Sequence, residues 1–513
     1  MGAVAVAVVW VLFVVAGWRG IDFGEHWDEE RHLRIARHAV DTGVLLPHDY
    51  WYPSLTWVTT FFSAIPELIR AAIDGDRAPL QALMATPSFT LRVRFVFVVF
   101  TSVSLFAIFG LLVRWRRRPF EAALAAALLG TSWELGYHAR WITPDAVMVL
   151  WASLLLAGLL LSERANAWRG WSWVAVVAAG LCTASKYTAG LMLVPCLLAV
   201  AWQTAPWPTR VARLASTSVV FALVYLFITP GTVIEAPTFF VDVRTQANVY
   251  GSKGHTGYNV GGVFDHTFKM LRYFTVTFSS PSVLASLLVA ALVPVGAWQL
   301  WRESRRSAIF VLLFPCLFLV FFATQRVMIV RNLLVVAPSF FVLAAVGAGV
   351  VAQRLPARAA VIWQGLLVAV VVGNGAFAIS AAESIRARGT DRFVAELAAF
   401  VDAHPDEQFV ASPRVMTALH DFDGRARSQL LPAPTPATRR VLVFGTESLA
   451  RRRWPANDPF LTERWFGPLE VNYNIYPTWQ GDDRIVLMSV EAARAVRMPL
   501  VARSKTTASP RPP

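Results

Sequence analysis

Charged side chains are scarce in this sequence: they make up 16% of its 513 residues, against 56% hydrophobic ones. A soluble chain usually carries about a quarter charged residues, so a wholly water-exposed globule is excluded. Cysteine is scarcer still. Cys182, Cys196 and Cys316 are the three present, all inside apolar segments and none in metal-ligand spacing. That rules out a disulfide framework or a thiolate zinc site. Acidic residues number 33 against 47 basic ones, a net charge of +14. In a soluble chain this excess would suggest nucleic acid, but no basic–aromatic groove or nucleic-acid motif accompanies it. There is also no solenoid-period repeat, and no matched pair of broken helices of the kind inverted-repeat transporters use.

What the chain has instead is length of apolar sequence; its mean hydropathy is +0.50. The first run, Ala3 to Trp18, lacks a basic flank before it and a clear cleavage site after it, so it reads as an uncleaved span. Further runs lie near 95–113, 119–137, 145–162, 171–185, 187–203, 212–229, 280–300, 308–323, 332–351 and 359–380. Together they predict about eleven transmembrane helices. Basic links fall at Arg114 with Arg116–Arg118, Arg164 with Arg169, Arg210 with Arg213, Arg302 with Arg305 and Arg306, and Arg354 with Arg358. If spans alternate, all five share one side, which the positive-inside rule makes cytoplasmic. The N-terminus then starts inside, and the C-terminal part lies outside. The expected protein is a multi-pass protein of the inner (plasma) membrane. Residues 1–384 form the membrane module, with long external loops at 19–92 and 230–278. Residues 385–513 form a small extracytoplasmic α/β domain, with a helix over Asp391–Phe400, strands near Val441–Gly445, Val471–Tyr476 and Arg484–Val490, and a disordered tail from Ser504.

The external segments hold the polar residues that topology does not explain. Gly24 to Glu30 (GEHWDEE) follows the first span directly and opens an amphipathic helix running to Val40. An acidic helix start accounts for Asp28 and Glu29; so does a carboxylate at a pocket mouth, able to take a proton from an attacking hydroxyl or, as a pair, to bind a divalent cation. Tyr137 to Asp145 (YHARWITPD) places Thr143 as an N-cap and Pro144 at the first helical position. This leaves His138, Arg140 and Asp145 as boundary charges that default to function. Lys186, alone in an apolar hairpin, either snorkels to the interface or binds an anionic phosphate. The glycine-containing loop from Arg244 to Tyr258 permits close backbone approach to a ligand, and it includes Lys253 and His255. Arg326 and Arg331 stand on the external side against the charge trend, which suits phosphate or carboxylate binding.

Asp28–Glu29 after the first span, Arg140 with Pro144–Asp145, Ser185–Lys186–Tyr187–Thr188, Tyr250 to His255 and Arg331 ahead of Pro338 occur in an order that resembles GT-C superfamily glycosyltransferases. The resemblance is to the bacterial branch akin to protein O-mannosyltransferases and lipid A aminoarabinose transferases, and it covers residues 1–380. It implies a mainly α, GT-C-fold membrane protein that moves a hexosyl or pentosyl group from a polyprenyl-phosphate donor on the outer face, with inversion. The acceptor would be a lipid, a glycan or a secreted protein. Asp28 is then the general base, with Glu29 and Asp145 as catalytic partners. Arg140, Lys186, Arg331, His255 and Arg244 would hold the donor phosphate, and Asp28 with Glu29 would suit Mg²⁺ or Mn²⁺. Two departures stand out. Tyr52–Pro53–Ser54–Leu55 lacks the lysine of the aminoarabinose transferases, and the long soluble insertion of eukaryotic mannosyltransferases is missing. A transporter or flippase for an anionic lipid or glycan is the main alternative, yet it should carry polar residues at mid-membrane; a noncatalytic scaffold leaves the external charges unexplained.

Overall fold

In a computed structural model of the chain, the described residues are 2–23, 27–165, 170–255, 258–386, 390–444, 464–466 and 485–495. Eight helical stretches among them are long and apolar enough to cross a membrane. Three shorter apolar ones bring the set to the expected eleven.

The first span, α1 (Gly2–Arg19), is followed by four short helices, α2 (Trp27–Thr42), α3 (Leu55–Phe62), α4 (Ile65–Asp74) and α5 (Ala78–Met84). The sequence pattern picks out only α2. Next come α6 (Pro87–Trp115), α7 (Pro119–Thr131) and α8 (Trp133–His138). Proline at the first helical position opens both α6 and α7, where its missing N–H costs nothing. The run expected as one span over 119–137 breaks at Ser132, which is extended and whose hydroxyl donates to Phe278 O at 3.0 Å.

The bundle continues through α9 (Pro144–Ala165), α10 (Trp171–Ser185), a 3₁₀ turn over Tyr187–Met192, α11 (Leu193–Ala201) and α12 (Trp207–Ile228). The second external loop is also helical: α13 (Gly231–Ile234), α14 (Ala236–Asn248), a π turn over Val249–Lys253 and α15 (Val263–Val276). Then follow α16 (Val283–Glu303), α17 (Arg305–Ala323), a 3₁₀ turn over Val330–Val336, α18 (Ala337–Arg354) and α19 (Ala357–Arg386). Helices α9 and α18 are buried almost throughout, whereas on α12 only Thr217 is buried. Lipid gives no hydrophobic drive to helix pairing, so small residues set close crossings. Gly296 of α16 and Gly347 of α18 face each other so closely that a methyl group on either would strike the other helix's backbone. Gly158 of α9 lies against Trp171 O and Ala175 in the same way.

This membrane unit runs to Ala382, and a second compact unit follows from Glu383. The second unit holds α20 (Thr390–Asp402), β1 (Phe409–Ala411), α21 (Pro413–Asp423), β2 (Leu430–Leu431), β3 (Arg440–Phe444), β4 (Arg464–Phe466), β5 (Ile485–Ser489) and α22 (Val490–Ala495). The sheet order is β2-β1-β3-β5-β4, with β1 parallel to β2 and β3, and β5 antiparallel to β3 and β4. Val394, Leu397, Ala398 and Val401 recur at helical spacing along α20 and pack on Phe409, Leu442 and Leu487. The strand expected over Val471–Tyr476 and the tail from Ser504 lie outside the described residues, as do Gly24–His26.

Candidate active site

Helix α2 begins with three acids, Asp28, Glu29 and Glu30, in its first turn, where the helix dipole favours them. Its apolar face, Leu33, Ala36 and Val40, packs against Leu80, Met84, Phe89, Val93 and Phe97 of α5 and α6. Ile35 and Ala39 pack against Trp57 of α3. The helix is therefore wedged between neighbours, and Asp28, Glu29 and His32 are all buried.

Three other chain turns meet Asp28. Asp145 follows Pro144 at the start of α9. The Thr143 hydroxyl, expected as the N-cap, makes no hydrogen bond. Lys186 ends α10 in an extended conformation (φ −153°, ψ 129°), which swings its side chain out of the helix before the 3₁₀ turn. Arg331 and Asn332 open the 3₁₀ turn that runs into α18. The result is one buried network. Arg331 donates from Nη2 to Asp28 Oδ2, and its Nε lies 3.3 Å from Asp145 Oδ2. Lys186 Nζ donates to Asp145 Oδ1 at 2.7 Å and to Asn332 Oδ1 at 2.6 Å. Asn332 Nδ2 donates to the Tyr250 hydroxyl, and the Tyr52 hydroxyl to Asp28 Oδ2, each at 3.4 Å. The Arg331 guanidinium also stands 5.5 Å from the centre of the Trp141 ring. Burial pushes the Asp28 carboxyl above its ordinary range, and Arg331 pulls it part of the way back. Burial also raises the Tyr52 phenol.

The remaining candidates lie elsewhere. Glu29 takes two bonds from Arg94 of α6, at 2.5 and 3.2 Å, and a third from Ile142 N at 2.9 Å. Arg94 in turn donates to Ile21 O at 3.0 Å. Glu29 thus joins α2 to α6 and to the turn before α9. Because Glu29 is committed to Arg94, the Asp28–Glu29 pair does not fit a divalent cation. Among the described residues no three His, Cys, Asp or Glu side chains converge at metal distance. Arg140 donates to Gly20 O at 3.2 Å, and its guanidinium stands 5.0 Å from the Trp133 ring centre. Burial draws it down to about 10, and it does not join the network. His255 packs its ring against Tyr258 at 5.2 Å, and Arg244 is exposed on α14.

Asn332 and Tyr52 were given no role from the sequence, and Tyr250 entered only as the start of the Tyr250–His255 stretch. His32 sits four residues after Asp28, a spacing that puts both on one face of α2; that periodicity was the available clue. A nearby clasp is equally silent in sequence: Glu235 accepts from the Tyr50 hydroxyl and pairs with His48, while Tyr50 N donates to Asp242 Oδ2 at 2.7 Å. It ties the segment between α2 and α3 to the region of α13 and α14.

Residues 77–230, less than a third of the chain, match the family model described as dolichyl-phosphate-mannose-protein mannosyltransferase. No curated protein matches. Among solved structures, ArnT from Cupriavidus metallidurans, crystallised with undecaprenyl phosphate, superposes with a TM-score of 0.51 at 16% identity, covering 98% of this chain and 99% of its own. The apo oligosaccharyltransferase of Archaeoglobus fulgidus gives 0.52 at 10% identity, covering 96% and 77%. At these identities the superpositions speak for the fold. They show a polytopic, mainly α membrane fold shared with these proteins, and residues 77–230 carry the similarity to the mannosyltransferase family.

Proposed function

We propose that this protein is a glycosyltransferase that takes a sugar from a polyprenyl-phosphate carrier at the outer face of the membrane and transfers it, with inversion, to a hydroxyl of a lipid, glycan or secreted protein. The observation that carries the proposal is the buried meeting of Asp28, Asp145, Lys186 and Arg331 at helix ends that alternation puts on one side of the bundle. Two carboxylates and two cations in one enclosure supply a proton acceptor and an anion site together. The donor class is supported by the description of the matching family, which names a dolichyl-phosphate sugar, and by the undecaprenyl phosphate bound to ArnT.

The acceptor oxygen attacks the anomeric carbon from the face opposite the phosphate. Its proton passes to Asp28, a role that raised basicity suits. The bond from the anomeric carbon to the phosphate oxygen breaks, and the electron pair leaves with that oxygen. Lys186 and Arg331 stabilise the charge that develops there; fixed cations in a dry site do this without reorganisation. Lys186 uses two N–H groups on Asp145 and Asn332, leaving its third for a phosphate oxygen. Asp145 does not react: it holds both cations in place. Arg331 pairs with Asp28 at rest, and a donor phosphate drawing on the same guanidinium loosens that hold and sharpens Asp28 as a base.

The test is transfer by the purified protein in detergent and in vesicles of known sidedness, with radiolabelled polyprenyl-phosphate sugars and an envelope extract as acceptor. The expected result is label on an acceptor together with free polyprenyl phosphate, from donor offered at the outer face. Absence of binding to any carrier lipid would overturn the reading and return the transporter alternative.

A further inference from the structure

Two imidazoles beside the network are left without hydrogen bonds. His32, on the Asp28 face of α2, is buried, and neither of its ring nitrogens has a partner. Its ring packs against Tyr52 at 5.5 Å, and Tyr52 donates to Asp28. His138, at the end of α8, is buried too, with neither nitrogen hydrogen-bonded. Its Nε2 lies 3.8 Å from a Glu134 oxygen that already accepts from the Tyr273 hydroxyl. Its ring packs on Trp141 at 4.7 Å, against which Arg331 also stands. Through Tyr52 and Trp141, each histidine lies one side chain away from Asp28 or Arg331. The buried Thr143 hydroxyl, two residues before Asp145, is unbonded as well. Buried polar groups are nearly always satisfied, and an unmade bond there costs folding stability. Three such groups lie beside the charged network, where the hydroxyls of a bound ligand would satisfy them.

We propose that His32, His138 and Thr143 form a neutral hydrogen-bonding subsite for the hydroxyl groups of the donor's sugar ring, separate from the phosphate site at Lys186 and Arg331. This rests on the glycosyl-transfer reading and deepens it. A neutral imidazole offers one donor and one acceptor, which matches a hydroxyl that does both. Burial holds His32 in that neutral form, down at about 3, so it neither competes with Asp28 for the acceptor's proton nor adds charge to the phosphate site. The subsite recognises a polyhydroxylated ring rather than an anion.

The experiment compares the wild-type full chain with His32→Leu and His32→Asn in three readouts: thermal midpoint, binding of sugar-free polyprenyl phosphate, and transfer from the glycosylated donor. For His32→Leu the expected result is an unchanged or higher midpoint, phosphate-lipid binding within about twofold, and kcat/KM for transfer lowered about 10- to 100-fold. His32→Asn, which keeps a donor and an acceptor, recovers part of the loss. A fall in the midpoint with His32→Leu would assign the histidine to the fold. Equal weakening of sugar-free and glycosylated lipid would assign it to the phosphate, and unchanged transfer would remove it from the site; each overturns the proposal. Failure of the wild type to transfer from any donor defeats the glycosyl-transfer reading itself and takes the sugar subsite with it.

Discussion

Asp28 and Glu29 are neighbours in sequence, but about 100° of helix turn separates them, and their carboxylates go to different partners. Asp28 faces Arg331 and Asp145; Glu29 faces Arg94, 65 positions along the chain. Asp28→Asn keeps shape and removes the base, so kcat should fall by about 10²–10⁴; transfer surviving within about tenfold would remove Asp28 from that role. As the proposed base Asp28 must be ionised, and burial lifts its pKa above the usual 3.8. As pH falls through that raised value Asp28 takes up a proton and the rate drops, so the acid limb of kcat/KM should lie above the ordinary carboxylate range. A profile flat down to that range contradicts the assignment. At the other carboxylate, Arg94→Met leaves Glu29 buried and unpaired, at a cost of roughly 3–5 kcal/mol, read as a lower thermal midpoint. Adding Glu29→Gln should restore most of it, because the stranded charge is then gone. Asp28, Asp145, Lys186 and Arg331 were legible in the sequence as charges stranded at membrane boundaries. The divergence of Glu29 was not, since adjacency in sequence says nothing of helix face until the partner is known. Arg140 was drawn to the phosphate by the same boundary argument, which cannot see the Trp133 ring and the Gly20 carbonyl that hold it elsewhere.

Among the elements, α2 was legible because its apolar residues recur at helical spacing. Helices α3 to α5 were not: seven to ten residues make marginal helices by themselves, and tertiary contact decides them. Two of the loop helices carry apolar faces that none of the described residues covers. On α4, Ile65, Ile69 and Ile73 recur every fourth residue, with Ile73 78% exposed, while Glu67, Arg70 and Asp74 occupy other positions. On α15, Phe264 (92% exposed), Phe268 and Leu271, spaced four and three apart, form a second such face. Such helices lie in the plane of a membrane interface, which would hold both external loops down on the lipid around the site. Spin labels at position 73 and at position 264 should be relaxed by oxygen, which concentrates in lipid, and shielded from a water-soluble nickel reagent; the reverse pattern would place these helices in water.

Across the whole molecule, the spans were legible from apolar length alone, because a bilayer demands it. The breaks inside them were not. Ser132 and the 3₁₀ turns at Tyr187–Met192 and Val330–Val336 depend on what each segment packs against, and two of these irregular turns flank Lys186 and carry Arg331. In the second unit, the alternating strands at β3 and β5 were visible, whereas β1 and β2, of three and two residues, were too short to show a period. The crossing at Gly296 and Gly347 is equally invisible without both helices in hand. The four charges of the central network cancel: Asp28 and Asp145 against Lys186 and Arg331. In the proposed reaction the acceptor's proton neutralises Asp28 while the phosphate gains a negative charge, so the total within the enclosure would stay constant through the chemical step. The imbalance comes only when polyprenyl phosphate departs and leaves one carboxylate facing two cations, which then expels the proton from Asp28. In a single turnover followed with an indicator dye, acidification of the medium should lag sugar transfer and keep pace with the exit of the carrier. The enzyme would in that case hold each proton like a receipt, surrendered only when the spent lipid leaves.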